Sequence, residues 1–118
     1  MTGRCGPVAL KGGSKTSVKP DLLGPVLPQD LSSLARALWA VPAPQRSNLC
    51  QRLFDRAEQA AAHVARTGQL HPQWGNGTLD AVARQCCGPL CTEPFWNDLS
   101  YIKCLRIALA ELERRLTR

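Results

Sequence analysis

The sequence has no long hydrophobic run. No stretch reaches the roughly eighteen consecutive apolar residues that mark a transmembrane helix. The N-terminal segment MTGRCGPVALKGGSKTSVKP also lacks the apolar h-region of a secretory signal. We therefore expect a protein that does not span a membrane and that resides in the cytoplasm.

Groups that commonly carry out catalysis are also scarce. The chain has two histidines and nine acidic residues, and the acidic residues are scattered over predicted helix faces. His71 could pair with Cys86 or Cys87 as a nucleophile, but no third group is placed to orient such a pair. The GNG segment lacks the lysine and the preceding strand of a nucleotide-binding loop. These absences favour a protein that is not an enzyme and that uses no cofactor.

The paired C-x-x-C knuckles of a zinc domain are missing as well. The six cysteines are Cys5, Cys50, Cys86, Cys87, Cys91 and Cys104. Cys50 and Cys104 fall on apolar faces of predicted helices, which favours buried, reduced thiols that act as small hydrophobic side chains. A zinc site formed by the Cys86–Cys91 cluster with Cys104 or His71 is the alternative. We expect no bound metal.

Positive charge is abundant, with a formal net charge of +6. A small basic protein is attracted to nucleic acid, anionic lipid or an acidic protein face, and charge alone does not choose among them. The candidates for contact with DNA phosphates are Lys11, Lys15, Lys19, Lys103, Arg106, Arg114, Arg115 and Arg118. For Arg114 and Arg115, stabilisation of a helix C-terminus is an alternative role. No recognition helix stands out, so any DNA binding should be weak and independent of sequence.

The N-terminal residues 1–29 are rich in glycine, proline and lysine and show no hydrophobic period. This composition predicts a flexible basic arm. Within it, the segment DLLGPVLP (21–28) is apolar enough to dock on the rest of the protein as an extended strap. Residues 30–118 are predicted to form a helical domain for oligomerisation or interaction.

After residue 29, apolar residues recur at helical spacing in four segments, and no strand pattern is present. The segments run from an N-cap at Asp30 to VPAP (41–44), from Pro44 to about Thr67, from about Thr78 to Cys86, and from a cap at Asn97 or Asp98 to the C-terminus. Gly68 is the expected C-cap of the second helix. We predict an all-α protein of about four helices, a hairpin or bundle with a long C-terminal helix.

The last predicted helix carries a regular apolar seam. Its members are Ile102, Leu105, Leu109, Leu112 and Leu116, at spacings of 3, 4, 3 and 4. This is the a/d pattern of a heptad repeat, although two heptads are too few for a free-standing coiled coil. The seam specifies one continuous face, which lies either in the core of a monomer or against a neighbouring subunit. We take its residues as the candidate oligomer interface.

The segment GQLHPQWGNGTL (68–79) joins the second and third predicted helices. It combines a helix stop, the turn former Asn76-Gly77 and a helix N-cap. Trp74 is expected to fill a gap between the two helices, and His71 to bond to nearby backbone. A loop that presents Trp74 to a partner, or a metal role for His71, are the alternatives.

Three segments resemble a known family: LARALWAVP (34–42), RTGQLHPQWGNGTL (66–79) and EPFWNDLSYIKCL (93–105). From about residue 31 onward the chain is similar to small proteins encoded at the start of the gene transfer agent clusters of Rhodobacter-like alphaproteobacteria, just before the large terminase. The resemblance implies a small terminase subunit, an oligomeric helical protein that brings DNA to the packaging motor. The N-terminal arm and the cysteine-rich RQCCGPLC (84–91) depart from the family pattern.

Two functional hypotheses follow. In the first, the chain is a small terminase that forms a homo-oligomeric ring, binds double-stranded DNA weakly and contacts the large terminase subunit. In the second, it is a monomeric helical adaptor or inhibitor of a nucleic-acid machine. The seam would then be internal core, so that Leu109→Asp would unfold the monomer.

Overall fold

The computed structural model describes residues 23–118, and this part is built from four α-helices. They are α1 (Pro28–Trp39), α2 (Ala43–Thr67), α3 (Leu79–Cys87) and α4 (Leu99–Leu116). Over these residues there is no strand, so the predicted all-α class and the number of helices are confirmed. Four residues named above lie outside the described residues: Cys5 and the candidate DNA-contacting residues Lys11, Lys15 and Lys19.

The first helix begins earlier than its sequence pattern predicts. Pro28 is its first residue, because proline at this position loses no helical hydrogen bond and presets the backbone. We expected Asp30 to be the N-cap residue, but it is the third residue of the helix. Its Oδ2 accepts from the Leu27 N–H at 2.8 Å. Its Oδ1 accepts from the Asp80 N–H at 3.1 Å, which ties the start of α1 to the start of α3.

The predicted strap is observed over the part of it that the structure describes. Residues 23–27 form no regular secondary structure, Leu27 has an extended backbone, and Leu23 and Val26 pack against the hydrophobic core. They lie beside Leu112 and Leu116 near the end of α4. Of the predicted arm 1–29, residues 23–27 thus lie against the helices through Leu23 and Val26, and Pro28 and Gln29 belong to α1.

Three other helix ends match their sequence signals. Gly68 caps α2 with a left-handed φ of 73°, which costs glycine little. The Thr78 hydroxyl accepts from the Ala81 N–H at 3.1 Å at the start of α3. Asp98 does the same for the Tyr101 N–H at 3.2 Å at the start of α4. The Thr78 and Asp98 caps satisfy backbone donors that the first turn of a helix leaves without partners, whereas the Gly68 N–H donates to the Val64 carbonyl of the last turn of α2.

All four helices contribute to the core, and α1 packs against each of the other three. Both α3 and α4 contact α1 and α2, and they do not contact each other within the described residues. The largest fully buried side chains include Leu34, Leu38, Leu53, Phe54, Leu79, Val82 and Tyr101. This arrangement leaves the outer side of α4 without a covering helix.

The segment 68–79 is a compact connector. His71 Nδ1 accepts from the backbone N–H groups of Gln73 and Trp74, both at 3.0 Å. Trp74 is half-buried, with the Arg56 guanidinium 4.7 Å from its ring centre. At Gly77, where φ is 89°, a Cβ atom would lie 2.7 Å from the backbone of Ala61 on α2. His71 and Trp74 hold the connector together and keep it close to α2.

A largely buried ion network fastens the end of α4 to α2. Arg115, which is 4% exposed, lies 2.6 Å from Glu111, 2.9 Å from Asp55 and 3.2 Å from Glu58. The Glu58 contact is an ion pair without hydrogen-bond geometry, because Nη1 has no hydrogen-bond partner. Burial alone would raise the pKa of the Glu111 carboxyl, but hydrogen bonds from Arg114 and Arg115 outweigh burial and lower that pKa.

Candidate interaction surface on the last helix

Two heptad faces run along α4, one residue apart. The inner face is buried and consists of Tyr101, Cys104, Ala108, Glu111 and Arg115. The outer face is the predicted seam of Ile102, Leu105, Leu109, Leu112 and Leu116. Both faces have spacings of 3, 4, 3 and 4, but only the inner one points fully into the fold.

The outer face is apolar and only partly covered. Leu105 is 8% exposed and belongs to the core, and Ile102 and Leu112 are half-buried against it. Leu109 is 50% exposed and Leu116 is 70% exposed. The structure therefore brings the five seam residues together along one side of α4, with two leucines largely in solvent. The seam is neither wholly core nor wholly surface.

Polar groups explain why the leucines are displaced outward. At the C-terminal end of α4 the positions that face α2 are taken by Glu111 and Arg115. The Arg115 guanidinium pairs with Glu58 and Asp55 of α2 and with Glu111 of its own helix. The leucine face and this ionic face cannot both point at α2. Because the ionic face does, Leu109 and Leu116 point toward solvent.

An open apolar groove lies between α1 and the N-terminal half of α4. Its volume is about 530 Å³. Its apolar lining comes mainly from Leu31, Trp96, Ile102, Leu105 and Leu109. Arg36, Glu93 and Arg106 also line it. The groove is continuous with the exposed outer face of α4, because Ile102, Leu105 and Leu109 belong to both.

The loop before α4 holds one end of the groove in place. Glu93 accepts from the Trp96 indole N–H at 3.1 Å and from the Tyr101 hydroxyl at 3.3 Å. The Trp96 hydrogen bond is the main cause that lowers the pKa of the Glu93 carboxyl. Arg36 donates to the Cys91 carbonyl at 2.9 Å. Trp96 is thereby fixed at the groove while remaining 66% exposed.

The five predicted DNA-contacting residues of the α4 region fall into two groups. Lys103 and Arg106 are exposed, and neither forms an ion pair within residues 23–118. The other three are engaged: Arg114 with Glu111 at 2.5 Å, Arg118 with Glu58 at 2.6 Å, and Arg115 in its buried network. Arg115 has no accessible group for a phosphate, so we leave it out of the candidate surface.

The cysteines of the described residues are all free thiols. Burial is the main reason that the pKa of Cys50 is raised to about 12 and that of Cys87 to about 11. It also raises the pKa of Cys104. Between residues 23 and 118 no three His, Cys, Asp or Glu side chains are grouped so as to hold a metal ion. The zinc alternative, from Cys86–Cys91 with Cys104 or His71, has no support there.

Sequence reasoning identified the seam but missed the groove and the ion network. The sequence did contain a signal for the network. It consists of the i, i+4 pair Glu111–Arg115 on α4 and two carboxylates, Asp55 and Glu58, on α2. None of the four helices of the described part is both long and apolar enough to cross a membrane.

The fold and this surface define a small all-helical protein whose last helix carries an apolar face that its own core does not cover. The chain belongs to the family described as Domain of unknown function (DUF7742), whose model matches residues 24–112. The match takes in the strap from Gly24 onward, the groove and the outer face of α4 as far as Leu112. No curated protein and no solved structure matches the chain.

Proposed function

We propose that this chain is a small terminase subunit of a gene transfer agent or phage-like particle. It associates with copies of itself and presents double-stranded DNA to the large terminase subunit, without enzymatic activity or a cofactor of its own. The proposal rests first on the resemblance of three segments to that family. Two of these segments, 34–42 and 93–105, supply the second half of α1, the groove loop and the start of α4. A packaging role places the protein in the cytoplasm.

The exposed outer face of α4 is the observation that carries the self-association. Large apolar side chains in solvent are stabilised when a partner covers them, by about 25 cal/mol per Å² of apolar area removed from water. Leu109 and Leu116, with the adjacent groove, form a continuous apolar surface of this kind. We propose it as the interface between subunits.

The unpaired cations of α4 suit weak contact with DNA. Lys103 and Arg106 are the exposed candidates, supplemented by Arg114 and Arg118 at the C-terminal end and by Lys11, Lys15 and Lys19 of the arm. Phosphate contacts of this type are independent of sequence and weaken steeply as salt rises. This behaviour suits a protein that delivers DNA to a motor without selecting a site.

Sedimentation of the full chain at tens of micromolar tests the self-association. The wild-type chain should form an assembly larger than one chain. The double variant Leu109→Lys/Leu116→Lys should sediment as a folded monomer, because charged side chains at the interface resist burial. Gln59→Lys, an exposed change on the outer side of α2, adds charge without touching the surface and should leave the assembly intact. A wild-type chain that stays monomeric at every concentration rules the proposal out.

A monomeric adaptor is the second candidate, favoured by the groove itself. A groove of about 530 Å³ with an aromatic wall is suited to a foreign peptide or helix. The structure changes how the two candidates are separated. Leu109 is half-exposed, so we expect Leu109→Asp to leave the monomer folded in either case, in place of the unfolding that the sequence alone led us to expect for an adaptor. Assembly, not folding, is the measurement that discriminates.

A further inference from the structure

We infer that two copies of the chain pair antiparallel through the outer face of α4, about a two-fold axis beside Leu109. The inference rests on the self-association in the proposed function and specifies how the copies are arranged. Each copy then supplies half of one symmetric interface, and Leu116 of each copy lies at the groove end of the other.

The placement of the apolar residues along α4 supports this arrangement. Ile102 and Leu116 lie seven residues on either side of Leu109, and Leu105 and Leu112 lie between. When two such helices run in opposite directions, Leu109 meets its own equivalent and Ile102 meets the second copy's Leu116. The exposed Leu116 is thus brought to the half-covered end of the groove beside Trp96.

The charges beside the outer face complement one another in the same arrangement. With Ile102 as an a position, Arg106 and Glu113 are the two e positions of the seam. Both are exposed, and neither has an ion-pair partner among the residues that the structure describes. In an antiparallel pair, e positions lie opposite e positions. Arg106 of each copy then faces Glu113 of the other, which gives two ion pairs by symmetry and leaves Lys103, not Arg106, as the unpaired candidate for DNA contact in the dimer.

A parallel pair lacks this complementarity. In parallel helices an e residue faces a g residue of the partner. The g positions here are Tyr101, Ala108 and Arg115, which face the core of their own chain. Arg106 and Glu113 would then remain without partners. Orientation is therefore set by two exposed, oppositely charged residues that have no other role in the fold.

Charge exchange at these two positions tests the arrangement. Arg106→Glu and Glu113→Arg should each weaken dimerisation about tenfold or more, since each replaces two attractive contacts with two repulsive ones. The double variant Arg106→Glu/Glu113→Arg should return to within about threefold of the wild-type dissociation constant. Lys103→Glu, a matched charge reversal one turn away at a b position, should leave dimerisation within about threefold of wild type. Sedimentation equilibrium gives the constants, and circular dichroism checks that every variant is folded.

An equimolar mixture of the two single variants provides an independent test. Each variant alone repels itself, but the mixed pair restores both contacts, so a heterodimer should form with nearly wild-type affinity. The mass of the wild-type assembly should also correspond to an even number of chains.

The possible outcomes separate the two proposals. A wild-type chain that is always monomeric removes the proposed self-association and this inference together. If the wild-type chain associates but the double variant remains as weak as the single ones, the antiparallel arrangement is wrong while the proposed function stands. An odd number of chains in the assembly contradicts the two-fold pair in the same way.

Discussion

The two faces of α4 lie one residue apart and differ in what they contact. The inner face begins with Tyr101 and ends with Glu111 and Arg115, and it is buried although its C-terminal half is charged. The outer face is built of leucine and isoleucine, and it is half in solvent. Burial on this helix is therefore decided by the partner across the interface, here the carboxylates of α2, and not by hydrophobicity alone.

Removal of Arg115 should give the largest effect on the fold. Arg115→Ala leaves Glu58 and Glu111 without their buried counter-charge, and we expect a loss of about 3 kcal/mol in the free energy of unfolding. Arg114→Ala is the matched control, because Arg114 is the exposed neighbour that binds the same Glu111. Urea unfolding measures both. Equal losses in the two variants would contradict the assignment of Arg115 to the inner face.

Tyr101→Phe should show that the inner face also positions the groove. The Tyr101 hydroxyl donates to the Glu93 carboxylate, which also accepts from the Trp96 indole N–H. We expect a loss of about 1 kcal/mol in the free energy of unfolding. We also expect a red shift in tryptophan emission, as the Trp96 side chain becomes more mobile. An unchanged emission spectrum would show that the groove wall does not depend on Tyr101.

The ion network predicts a specific dependence on pH. The folded state lowers the pKa of Glu111 below its usual 4.5. The stability that this carboxylate contributes is therefore complete above the unfolded-state pKa and is lost as pH falls through the folded-state value. The difference in unfolding free energy between the wild type and Glu111→Gln should be largest at about pH 7 and shrink below about pH 4.5. A difference that is constant with pH would show that charge on Glu111 is irrelevant.

Leu116→Ala should have the smallest effect on the monomer. The side chain is largely in solvent, so we expect a change within about 0.5 kcal/mol in the free energy of unfolding. The measurement is urea unfolding at a dilution where light scattering shows both the wild-type chain and Leu116→Ala to be monomeric. A loss near that of Arg115→Ala would place Leu116 in the core and remove the contrast between the two faces.

Local signals accounted for most of the helical architecture. Gly68, Thr78 and Asp98 act through hydrogen bonds to residues no more than four positions away, so the sequence pattern around each was sufficient. The start of α1 was misplaced because Asp30 accepts from Leu27 as the third helical residue, while Pro28 begins the helix. An aspartate is favourable both at the N-cap and at the third position of a helix. The position of the proline distinguishes these two placements of Asp30.

The candidate surface was predictable only in part. Periodicity located an apolar face on α4, but it did not reveal that the neighbouring face, one residue away, is the one in the core. That outcome depends on ion pairs between Arg115 and two residues of α2 that lie 60 and 57 positions away in the chain, Asp55 and Glu58. The groove likewise requires α1, the loop before α4 and α4 to meet, and no local pattern specifies such a meeting.

The central claim is that the outer face of α4 joins copies of this chain. Light scattering on the wild-type protein, from dilute to tens of micromolar, tests it most directly. We predict a mass that rises with concentration to at least twice the 12.9 kDa of one chain. A mass that stays at one chain throughout would contradict the claim.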